Sequence, residues 1–132
     1  MRALRHWLHR RQRPERYAGL DALLATQALN REQLLRKQRQ DLRDIVRFAA
    51  ENTRFYHERL GALADSFAGD ITRLPILHKA DVVTRLPDLL ARGADPQHTK
   101  IGHTGGSTGK PLAFYYDEAK HELMRAGMMR SY

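Results

Sequence analysis

The chain contains no cysteine in its 132 residues. That excludes disulfides, thiolate metal sites and a cysteine nucleophile, and it fits a reducing, cytoplasmic setting. No apolar run reaches the roughly 18 residues a spanning helix needs, so no transmembrane helix is expected. The first 29 residues hold no serine, which organelle transit peptides favour, and no apolar stretch of the secretory type. The length accommodates one domain with a core of its own, not two ordinary ones. No internal repeat or low-complexity tract is present.

What the chain does have is positive charge, unevenly placed. Its 23 basic and 15 acidic residues leave a formal charge of +8. Met1–Arg59 holds 14 basic and 7 acidic residues, whereas Leu60–Tyr132 holds 9 and 8. Six arginines fall within the first sixteen positions: Arg2, Arg5, Arg10, Arg11, Arg13 and Arg16. Leu4, Trp7 and Leu8 sit among them at helical spacing. A basic amphipathic lead of this kind lies on an anionic membrane surface or binds nucleic acid. The plainer expectation is a solvated charge run. Residues 1–29 are therefore set apart as a basic helical leader, interrupted by Pro14 and Gly19, and 30–132 as the remaining domain.

Asn30 with Gln33 three positions on has the form of a capping box. From there Leu34, Leu35, Leu42, Ile45, Val46, Ala49 and Ala50 recur with helical period, which predicts one amphipathic helix over Arg31–Glu51. Its arginines alternate with Glu32, Asp41, Asp44 and Glu51, the pattern of a salt-bridged solvent face, so no nucleic-acid partner is expected. Asn52-Thr53 is a stop, Phe55 and Tyr56 dock the next turn, and Gly61 ends it. Pro75 keeps Leu74–Leu77 extended, and a second helix opens at His78 and runs through Leu86. Thr99–Gly102 and Leu112–Tyr116 read as strands, and Asp117 as the N-cap of a last helix carrying Leu123, Ala126, Gly127 and Met128. The predicted class is α+β: a helical front, then strand, glycine-rich loop, strand and helix.

That loop carries the chemistry. Thr104-Gly105-Gly106-Ser107-Thr108-Gly109-Lys110 gathers three glycines, three hydroxyls and a lysine. Glycines let successive backbone N–H groups line a concave nest around an anion. The hydroxyls add donors, and Lys110 supplies a point charge for outer phosphates. A plain hairpin turn asks for one or two glycines and nothing more. The loop is not a Walker A motif: Thr104 replaces the first glycine, Pro111 replaces the metal-binding hydroxyl, and a strand follows instead of a helix. The dinucleotide G-x-G-x-x-G is also missing. The seven histidines include His6 with His9 and His98 with His103, but no third ligand lies beside either pair, and no metal site is predicted.

T-G-G-S-T-G-K-P-L, Thr104–Leu112, resembles the phosphate-binding signature of the adenylate-forming enzymes. Two upstream words, Phe48–Tyr56 and Leu74–Asp81, are similar in order and spacing to the front end of the phenylacetate–coenzyme A ligase branch, which includes relatives linked to capsular polysaccharide synthesis. The resemblance covers roughly Arg31 to Tyr132. Arg54 stands where that branch often has proline, His78 where it often has a capping threonine or serine, and Leu112 where many members have lysine. The resemblance implies that Thr104, Gly105, Gly106, Ser107, Thr108, Gly109 and Lys110 hold the phosphates of ATP with Mg²⁺. It implies a carboxylic acid substrate activated as an acyl-adenylate, then transferred to a thiol, usually coenzyme A. It further implies that the adenine and acyl pockets, the metal carboxylate and the catalytic lysine lie downstream of the loop. The expectation is therefore an N-terminal portion of such a ligase, inactive by itself and weak in ATP binding. The alternatives are a non-enzymatic basic helical module on a membrane surface or nucleic acid, and a stand-alone phosphate sensor.

Overall fold

The structure, a computed structural model, describes residues 2–105 and 111–131, with side chains from Trp7 onward. Helices dominate, and the one sheet has two antiparallel strands, so the α+β class holds among the described residues. No helix there is long and apolar enough to cross a membrane.

Helix α1 spans Arg2–Gln12 and α2 spans Pro14–Ala25. Pro14 occupies the first turn of α2, where its missing N–H would have no partner anyway. The expected interruption at Gly19 does not occur, because α2 continues through it. A Cβ at Gly19 would lie 3.2 Å from Leu123 Cδ1 and 3.5 Å from Ala126 Cβ. Both belong to α7, Glu118–Arg130, the last helix of the described chain. The glycine is thus a helix–helix contact point, and its helix-propensity cost of about 1 kcal/mol is offset by that close approach. Nor is the second half of the leader a solvated run. Arg16 and Tyr17 are buried, and the Arg16 guanidinium meets the Glu122 carboxylate of α7 through two hydrogen bonds, at 2.7 and 2.9 Å.

The Asn30 side chain accepts from the Gln33 N–H, and the Asn30 N–H donates to Gln33 Oε1 in return, both at 2.9 Å. Behind that box α3 runs Arg31–Asn52, as its periodicity predicts. Thr53 ends it and starts α4, Arg54–Leu60, whose last turn stops at Gly61. After α5, Leu63–Ser66, the chain turns back so that Val46, Ala50, Leu60, Ala64 and Phe67 form a core cluster. Leu42, Tyr56, Leu63 and Leu74 pack against it. Phe55 is 2% exposed, with the guanidinium groups of Arg59 and Arg85 at 5.4 and 5.1 Å from its ring centre. Leu74–Leu77 is extended without joining a sheet, and α6 follows over Lys79–Arg85. Pro87 sits in a 3₁₀ turn, Leu86–Leu89, that follows α6 directly. Strands β1, Lys100–His103, and β2, Ala113–Tyr116, then precede α7.

The arginine hydrogen bond holds the Glu122 carboxyl below the usual glutamate range, against desolvation acting the other way. Its folded pKa therefore lies below its unfolded one. The resulting stability is present above the ordinary glutamate value and is lost as pH falls through the depressed folded value. The thermal midpoint of Glu122→Gln should lie below that of the wild type at neutral pH, and the gap should narrow below about pH 4. A gap that stays constant on acidification would show that the carboxylate charge has no part in it. Gly19→Val should cost about 1–3 kcal/mol through overpacking against α7, measured as a lower urea midpoint at unchanged slope.

Candidate functional site

The glycine-rich segment joins the two strands of the hairpin. Lys100 pairs with Tyr116, Ile101 with Tyr115, Gly102 with Phe114 and His103 with Ala113. Beyond His103 the neck is closed by two bonds. The Thr104 N–H donates to the Leu112 carbonyl at 2.9 Å, and the Leu112 N–H donates to Thr104 Oγ1 at 3.0 Å. A hydroxyl has one proton and two lone pairs. Thr104 Oγ1 is used here as an acceptor, so this bond does not consume its proton. Gly105 is exposed, and a Cβ on it would meet no other atom within 4 Å. Of the predicted phosphate ligands, Thr104 and Gly105 are brought to the mouth of the hairpin. Gly106, Ser107, Thr108, Gly109 and Lys110 lie outside the described residues.

The element after the loop is β2, so the segment does not open onto a helix. The N-terminus of α7 is already occupied, since Asp117 accepts from the Lys120 N–H at 2.8 Å. A phosphate held here must therefore be held by loop amides and side chains, not by a helix dipole. Lys100 is tied to Glu118 at 2.8 Å, which raises the lysine pKa and lowers that of the glutamate. This pair fixes the start of β1 to the first turn of α7.

No family model, curated protein or solved structure matches this chain.

Beside the hairpin, Gly102, His103, Phe114, Tyr116, Lys120 and His121 border an open pocket of about 230 Å³. The Lys120 ammonium lies 4.7 Å from the Phe114 ring centre and 5.7 Å from that of Tyr116. Tyr116 also meets the His121 ring at 5.7 Å. These contacts were not anticipated from the sequence, although two signals pointed that way. Phe114 and Tyr116 are two apart in a strand and so share a face. A glycine inside a strand marks close approach, and a Cβ on Gly102 would come within 2.8 Å of Phe114 Cζ. Two other histidines make local contacts. His98 bonds Asp95 at 2.6 Å and lowers its pKa, and His9 bonds the Tyr17 hydroxyl at 2.9 Å. Among the described residues no group of three or more His, Asp or Glu side chains is placed to hold a metal.

Gly102→Ala should push the Phe114 ring off β1 and away from Lys120. The upfield ring-current shift of the Lys120 ε-methylene protons should then shrink in the NMR spectrum. An unchanged shift would mean that the ring does not depend on the missing Cβ.

Proposed function

We propose that this chain carries the ATP phosphate-binding hairpin of a carboxylate-activating ligase, of the adenylate-forming kind that its loop resembles. The observation that carries this reading is the neck at Thr104 and Leu112. It holds both ends of a hydroxyl- and glycine-rich segment on one antiparallel ribbon, with the Thr104 hydroxyl at the mouth accepting from Leu112 and not donating to it. Such an arrangement suits an anion with several oxygens. Amides and hydroxyls can be shared among them, and Lys110 adds a charge-assisted contact.

ATP is a substrate in this reading, and the residues present fit its phosphates in kind: Thr104, Ser107 and Thr108 as hydroxyl donors, the glycines as amide donors, Lys110 as the cation. The described residues offer no carboxylate cluster for Mg²⁺, so the ion would arrive on the phosphates. The carboxylic acid, the coenzyme A acceptor and the phenylacetate–coenzyme A ligase branch rest on the sequence resemblance alone. In such a ligase the carboxylate attacks the α-phosphorus and pyrophosphate leaves. The part of this hairpin would be to position the polyphosphate and stabilise its charge.

Titrating the full chain with MgATP or pyrophosphate should move the amide resonances of Thr104, Gly105 and Leu112, and AMP should not move them. Lys110→Ala should weaken the response about tenfold or more, given about 1.5–3 kcal/mol for a hydrogen bond to a charged group. Thr104→Ser should keep the response, and Thr104→Val should lose it. If millimolar MgATP leaves all three amides in place, the proposal fails.

A further inference from the structure

We propose that helix α1 docks the chain on an anionic lipid bilayer. Ordinarily an amphipathic helix turns its apolar side toward the protein and its polar side toward water. Helix α1 is mounted the other way. Among its described side chains it is polar groups that meet α2: His9 the Tyr17 hydroxyl, and Arg10 both Asp21 and the face of the Tyr17 ring. At about 100° per residue, His9 lies roughly 200° round the helix from Trp7. The side away from α2 thus carries Trp7 and Leu8, which are 52% and 43% exposed. The Arg11 guanidinium lies 5.1 Å from the Trp7 ring centre on that same side. An exposed tryptophan and leucine with an arginine between them form the unit that settles at a headgroup boundary. The indole sits at the interface, and the arginine stem lies along apolar surface with its charge in water.

Charge selects the kind of surface. Helix α1 holds four arginines and no acidic residue. The long helix α3 differs, because it carries four carboxylates among its six cations, and two of those cations are met a turn away: Arg36 by Glu32 and Lys37 by Asp41. The positive field of the leader is therefore uncompensated within its own helix and fits anionic headgroups. Nucleic acid would answer the charge but not the apolar side chains, since Leu8 gains nothing from a phosphate backbone. The proposal does not depend on the phosphate-binding reading and stands or falls apart from it.

Trp7 is the chain's one tryptophan, so its fluorescence reports α1 directly. The full chain is mixed with vesicles of phosphatidylcholine alone, or of phosphatidylcholine with phosphatidylglycerol. The anionic vesicles should shift Trp7 emission to the blue and sediment the protein, and added salt should weaken both effects. The neutral vesicles should do neither. Leu8→Glu should abolish the blue shift while keeping the helical circular dichroism. Arg11→Gln should lower partitioning about fivefold, and Arg36→Gln on α3 should leave it unchanged. Equal binding to both vesicle types overturns the proposal, as does full binding by Leu8→Glu. Binding to a DNA or RNA duplex without a vesicle-induced blue shift would replace the membrane with nucleic acid.

Discussion

The two ends of the described chain are joined by one buried ion pair. Arg16 and Glu122 are 106 positions apart, and the bidentate fork between them is excluded from water. Arg13 adds a third charge at 3.6 Å from the same carboxylate. A buried pair of this kind contributes less net stability than its strength suggests, because both charges were stripped of water. What it does strongly is penalise alternatives, since any other packing of α2 leaves a charge buried alone. Around it, Gly19 and Ala126 let the helices approach, and Ala126 is fully buried. Helix α7 in turn holds the hairpin through Lys100–Glu118 and the Lys120 contacts, and α2 holds α1.

Charge is handled in three ways along the chain. On α3, Arg36 and Lys37 are each met by a carboxylate of the same helix a turn away. At Phe55 the guanidiniums of Arg59 and Arg85 flank an aromatic face, while Arg59 also meets Asp81 and Arg85 meets Glu58 and Asp88. Among the described α-helices, α1 is the one that carries cations with no acid of its own. The formal excess of the first half is thus concentrated where the apolar side chains are also unburied.

Features governed by three or four neighbouring residues were legible in the sequence. The capping box at Asn30, the stop at Thr53, the end at Gly61 and the cap at Asp117 all depend on side chains reaching the nearest free amides. The two strands were legible for a similar reason, since the loop between them separates two short β-forming runs. Arg16 was not, because its role is set by a partner at the other end of the chain. Among six arginines nothing local distinguishes it. Gly19 misled in the same way: as local chemistry a glycine weakens a helix, and only the arrival of α7 gives it a use. Of the candidate site, the ends were legible and the neck was not. Thr104 was counted among the phosphate donors, but its backbone and hydroxyl also bind Leu112.

Thr53 links two helices in one residue. Its N–H and its hydroxyl both donate to the Ala49 carbonyl at the end of α3, and the same oxygen accepts from the Tyr56 N–H at the start of α4. Neither helix can therefore fray at this corner by itself, because loosening one strips the cap from the other. Thr53 is itself buried, and the helices it joins both contribute to the core cluster, Val46 and Ala50 from α3 and Leu60 from α4, so the corner ties α3 and α4 into one opening unit.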